Sequence, residues 1–242
     1  MKNPFAGLKK KQVKLQFSTC GEIMIDGLPF AFGVESAGKA SDKGLCVSIS
    51  GEAVNDGRVT FSNLEYYENH MRLAHLAGIP FVPTECGLFP GERGVNTDRY
   101  EAEFDRLKDS LSWLCKKAEQ YDVCIALEAS LVDIVPSAKR ARDLIEQVGS
   151  DRLKVLLDPA NLIANSSEED MFRYLAPHIA YLHGKDRKVN DVWGRVVGDG
   201  DIDWRLFFQL YHKYAEGKPF ILEYVNEENF REIMRRVNEY DA

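Results

Sequence analysis

Four side chains with ligand or proton-transfer chemistry fall at the ends of short apolar runs. Glu128 closes VCIALE, Asp158 closes KVLLD, His183 closes IAYLH and Glu223 closes FILE. Their separations are 30, 25 and 40 residues, each about one strand-plus-helix unit. Three carboxylates and an imidazole form a hard, oxygen-rich donor set. It suits Mn²⁺ first, Mg²⁺ or Co²⁺ next, and is compatible with Zn²⁺ or Fe²⁺. Held together without a cation, the carboxylates repel and their pKa values rise. A dication removes that penalty and polarises a carbonyl or hydroxyl as a Lewis acid. Two carboxylates on opposite sides of a bound substrate can then take a proton from one face and return one to the other. Any one of these residues alone reads more simply as an ion pair or helix cap. Four consecutive strand ends weaken that reading.

The elements that position them alternate regularly. Strands are expected at 44–50, 79–84, 123–127, 153–157, 179–182 and 220–222, where apolar runs are short and unbroken. Helices are expected at 63–77, 97–120, 137–148, 168–176, 203–214 and 227–240, where apolar residues recur at helical spacing. Unbroken apolar strands fit a parallel sheet covered on both faces. Repeated βα units leave the closed barrel and the doubly wound open sheet. No GxGxxG or Walker pattern follows the first strand, which weakens the open nucleotide-binding sheet. Polar residues gather at the C-terminal ends of successive strands, where a barrel assembles its site. The expected fold is therefore an α/β (β/α)8 TIM barrel in one domain over residues 1–242.

The N-terminal third departs from this rhythm. VKLQFS (13–18) and FGVES (32–36) read as strands one and two, but the connections after each are too short for a crossover helix. Helices one and two are expected to be shortened or missing.

Composition narrows the function. The 242 residues carry a net charge of −7 and are 45% hydrophobic. That balance favours a globular protein and disfavours nucleic acid or anionic membranes as partners. The five cysteines lack CxxC spacing and read as reduced thiols, which points to the cytoplasm. Cys20 and Cys86, each beside a glycine, are the ones considered for nucleophilic chemistry. The basic start MKNPFAGLKKKQVK is followed by no apolar stretch and does not read as a signal peptide.

The segments LEAS, LLDPANLI, YLHGKD, GRVVGDGDIDW and ILEY, in that order, resemble the xylose-isomerase-like TIM-barrel superfamily of sugar isomerases and epimerases. The resemblance covers about residues 44–242 and is strongest from Val123 onward. It implies that Glu128, Asp158, His183 and Glu223 are metal ligands, and that Glu128 and Glu223 double as the acid/base pair. Where many epimerases carry a substrate-binding His, this chain has Asn161. An amide hydrogen-bonds but does not exchange protons near neutral pH. Lys185, Arg195 and Glu85 complete the expected substrate contacts. Arg187, Asp186, Trp193 and, more weakly, Glu52 stand beside them; a surface ion pair or packed loop is the simpler reading of each.

The expected activity is metal-dependent isomerisation or epimerisation of a sugar-like hydroxy-carbonyl compound by a chain that can form homo-oligomers. A dehydratase or lyase acting on a cyclitol or keto-sugar, including glycoside cleavage, would use the same metal and one base. A DNA-repair endonuclease of the same barrel needs more His ligands than the single one at a strand end, and a basic groove. A barrel that only binds ligand has little reason to hold three carboxylates together.

Overall fold

Strands and helices alternate over most of the chain along one eight-stranded sheet whose strand order follows the sequence. The computed structural model describes residues 19–25, 28–36, 47–50, 64–86 and 97–242. The strands are β1 (Thr19–Ile25), β2 (Leu28–Ser36), β3 (Val47–Ser50), β4 (Phe81–Glu85), β5 (Cys124–Glu128), β6 (Leu153–Leu157), β7 (Ile179–Gly184) and β8 (Phe220–Leu222). The helices are α1 (Leu64–Ala77), α2 (Tyr100–Gln120), α3 (Ala138–Val148), α4 (Pro159–Leu162), α5 (Glu168–Leu175), α6 (Trp204–Tyr214) and α7 (Phe230–Tyr240). From β3 to β8 every ladder is parallel. The fold is a (β/α)8 TIM barrel whose N-terminal third departs from the repeat. No helix among the described residues is long and apolar enough to cross a membrane.

That first third corrects the expectation of an all-parallel sheet. β1 pairs antiparallel with β2, and β2 antiparallel with β3. Two residues, Asp26 and Gly27, join β1 to β2, and Ile25 pairs with Leu28. A parallel connection needs a dozen residues or more, whereas an antiparallel pair closes in two. The strand expected at 13–18 and the candidate Glu52 lie outside the described residues. Among the described residues no helix precedes α1, as the short connections require.

Local sequence explains the later elements. Ser137 caps α3 by accepting from the Arg140 amide, and Gly149 ends the helix in the left-handed conformation at φ 64°. Ser167 caps α5 and Asp203 caps α6 in the same manner. Their apolar stripes face the sheet through Leu144, Ile145, Phe172, Leu175, Trp204 and Phe207, all buried.

Strand parity sets the site. Ala126, Leu156, Ala180, Tyr181 and Ile221 form a separate buried cluster with Phe81 packed against it. All but Ala180, which the register of β6 on β7 skips, stand two residues before Glu128, Asp158, His183 or Glu223, and side chains two apart on a strand share a face. The cluster therefore floors the space into which those four side chains project. The intervening Leu127, Leu157 and Leu182 belong to the larger core beneath the helices. An irregularity at Val155/Leu156 brings Tyr181 opposite Leu156, which keeps His183 in phase with its neighbours.

Candidate metal centre

Asp158 is fixed first by its own backbone. It follows β6 in extended conformation, and Pro159 opens α4 immediately after it. Its Oδ1 accepts from the Ala160 and Asn161 amides at 2.9 and 3.2 Å, so the ligand candidate is also a helix cap. Oδ2 is left facing His183 Nδ1 at 3.8 Å. His183 Nδ1 also lies 3.8 Å from Glu128 Oε1 and 3.3 Å from Glu223 Oε1. Glycine at 184 lets β8 come this close, because a Cβ there would stand 2.6 Å from Leu222 Cδ2 and 2.7 Å from Phe220 Cζ. The four residues that the strand-end spacing singles out are thus brought together.

Glu128, Asp158 and His183 each offer a ligand atom, all within 4.8 Å of one another. Two donors about 2.0–2.2 Å from one ion stand about 3–4.4 Å apart, and the 3.8 Å separations fall in that range. This buried Glu/Asp/His cluster is able to coordinate a divalent metal.

Lys185 is seated inside the cluster. Its Nζ lies 2.8 Å from Asp158 Oδ2 and 3.2 Å from Glu223 Oε2. Three carboxylates and one ammonium leave a formal charge of −2, which a dication balances. Burial alone would push the Asp158 carboxyl up, but Lys185 and His183 overcome it and hold it well below the usual range. Lys185 in turn is raised, because Asp158, Glu223 and Glu128 outweigh its own burial. Glu128 is pushed up to about 7, chiefly by burial, with the charges of Asp158 and Glu223 adding and His183 opposing.

The expected substrate contacts divide. Asn161 is buried beside the cluster, donating from Nδ2 to Glu128 Oε1 at 2.7 Å and accepting at Oδ1 from Arg187 Nη2 at 3.2 Å. Arg187 therefore reaches the cluster through Asn161. Arg195 turns to Asp191 at 2.7 Å instead, while its backbone bridges to Asp186. Glu85 ends β4 directly opposite Glu128 in register. Its side chain is open to solvent on one side, yet enclosure raises its carboxyl, with Glu223 adding and Lys185 opposing.

Two residues beside this rim change the sequence-based picture. Asp133, not singled out by any motif, is pushed up to about 7 by burial and by the charge of Glu85. Only its position in the loop after β5 could have drawn notice. Cys86 is buried, and enclosure together with Asp133, Glu85 and Glu128 drives its thiol well up. A thiolate nucleophile does not fit there; the side chain of Cys20 lies outside the described residues. A cavity of about 640 Å³ lies at the opposite ends of the strands, by Cys124 and Arg152, away from the cluster.

A sequence model of the xylose isomerase-like TIM barrel matches residues 37–240. The chain belongs to that family. Proteins of known structure share the fold at low identity. A xylose isomerase domain protein from Planctomyces limnophilus superposes with TM-score 0.60 at 19% identity, over 74% of this chain and 64% of that one. The IolI protein, solved with a bound zinc atom, gives 0.60 at 19%, over 73% and 66%. The 3-keto-D-glucoside 4-epimerase of E. coli gives 0.60 at 13%, over 76% of each chain. This xylose isomerase-like barrel spans less than two thirds of the first two structures. No curated protein sequence matches it.

Proposed function

We propose that this chain is a divalent-metal-dependent isomerase or epimerase acting on a sugar-like hydroxy-carbonyl substrate, with Mn²⁺ as the preferred ion. The observation that carries the reading is the convergence of Glu128, Asp158 and His183, with Glu223 in contact, on a floor of apolar side chains. These four residues would hold the metal, which supplies Lewis-acid polarisation of the substrate oxygen next to the labile C–H. Glu128, held by Asn161 Nδ2 at 2.7 Å and 3.8 Å from His183 Nδ1, stands beside the metal position to take and return a proton at the substrate carbon. Glu223, directly after β8 and partly open to solvent, serves the opposite face. Lys185 and Arg187 supply cationic donors for substrate oxygens, and Asn161 orients Glu128.

A dehydratase or lyase reading has one observation in its favour. Glu223 Oε2 is engaged by Lys185, which leaves Glu128 as the single base. The two readings part in a solvent-deuterium assay over ketoses, inososes and keto-acids. Epimerisation predicts deuterium beside a carbonyl with no loss of water, abolished in Glu128→Gln and in Glu223→Gln. Elimination predicts an unsaturated product and survival of some activity in Glu223→Gln. Neither exchange nor elimination with any substrate would overturn both.

A further inference from the structure

On the rim between the ends of β7 and β8, four apolar side chains stand open to solvent. Trp193 is 73% exposed, Tyr224 57%, Val192 52% and Val189 49%. Large apolar side chains left open beside a polar site mark a place where a ligand can pack. The backbone that carries the two rings is held in place. Tyr224 directly follows Glu223, and its ring lies close over residue 194, where a Cβ would stand 2.5 Å from the hydroxyl oxygen. Its backbone is left-handed at φ 58°, a conformation a bulky residue keeps only when its surroundings impose it. Asn229 Nδ2 donates to the Tyr224 carbonyl at 3.1 Å. In the facing loop, the Trp193 amide donates to Asp191 Oδ1 at 3.1 Å, and Asp191 Oδ2 takes Arg195 at 2.7 Å.

We infer that Trp193 and Tyr224 form a stacking platform for a second sugar ring, so that the substrate is a glycoside rather than a free monosaccharide. This rests on the sugar reading of the cluster. The platform is continuous with that cluster: Tyr224 adjoins Glu223, and Trp193 sits in the loop that begins with Lys185 and Arg187. A pyranose presents apolar C–H groups on its faces and hydroxyls at its edges, which matches an aromatic face flanked by polar loop groups.

The test titrates cellobiose, maltose and sucrose, alongside glucose and fructose, into Mn²⁺-treated protein while reading tryptophan emission. Of the three tryptophans, Trp204 is buried and Trp113 partly so, so the exposed Trp193 dominates any ligand-dependent change. At least one disaccharide should shift the emission and bind about five- to tenfold more tightly than either monosaccharide. That advantage, measured by calorimetry in the variants because Trp193→Ala removes the emitting ring, should vanish in Trp193→Ala and shrink in Tyr224→Ala. The platform is overturned if no disaccharide outbinds the monosaccharides, or if both variants keep the advantage. It is also overturned if sedimentation shows a dimer that both variants dissociate. Metal content and deuterium exchange on the same samples test the cluster separately. Because emission needs no turnover, a cluster without exchange still leaves the platform decided.

Discussion

Lys185 is the residue on which the site's electrostatics turn. Its ammonium already occupies the side of Asp158 and Glu223 that an incoming cation would share. Lys185→Met should therefore act in opposite directions on two measurements. The metal-free protein should lose about 3 kcal/mol in denaturant unfolding, because a buried ion pair is left with unpaired carboxylates. Mn²⁺ affinity by calorimetry should rise at least about tenfold, because a like charge a few ångströms away is gone. Unchanged affinity would place the ion away from Lys185. Asp133 gives a pH test. Burial and Glu85 raise it to about 7, above its value in the unfolded chain. Its folded-state cost is absent below about pH 4, grows as pH rises, and is complete above about 7. Asp133→Asn keeps an acceptor for the Cys86 amide and removes the cost. In chelator-treated protein the variant should match the parent near pH 4 and exceed it by about 1–2 kcal/mol at pH 8, solvent access keeping the gain below the full shift. Equal stability at both pH values would show that Asp133 ionises freely. At this scale the four strand-end residues were legible because their types and spacing are in the chain. The choice of Arg187 over Arg195 was not. The two differ in which partner each guanidinium meets, Asn161 or Asp191, and that depends on the path of the loop.

At the scale of elements, the β5-to-α7 segment follows its sequence closely. β6 and β8 occupy the residues their apolar runs predict, and α3 begins after Ser137 where the cap signal lies. The four-residue α4 was hidden. Nothing apolar repeats in PANL; it forms because Asp158 caps it and Pro159 presets its first turn. The antiparallel start was readable in part, since Asp26-Gly27 between apolar runs is a hairpin signal. A βα rhythm imposed on the whole chain obscured it. The loop from β7 to α6 folds around one buried side chain. Asp186 accepts from the Gly198 amide at 2.9 Å, the Ile202 amide at 3.4 Å and Trp204 Nε1 at 2.8 Å. Gly200 passes so close that a Cβ would collide with Asp186 Oδ1 and the Arg187 backbone. Gly200→Ala should cost about 2–3 kcal/mol by overpacking and weaken substrate binding through Arg187 more than metal binding. A thermal shift of less than 1 °C would mean that the loop yields freely at this point.

For the molecule as a whole, the barrel places a −2 cluster at the mouth of an apolar floor. The chain's net charge of −7 adds to the field that draws cations there. Strand periodicity made the barrel legible, but the seating of Lys185 depends on how β6, β7 and β8 meet, which no single segment encodes. If the cluster holds a cation, metal binding is also folding free energy. At a hundredfold excess over Kd it should add about 2.7 kcal/mol to stability. The most direct measurement is Mn²⁺ stoichiometry on chelator-stripped protein at pH 7.5, by calorimetry with elemental analysis, for the parent, Asp158→Ala and His183→Ala. One ion per chain in the parent, and loss of that ion in both correctly folded variants, is the predicted result. No tight binding in the parent, or full occupancy in both variants, would contradict it.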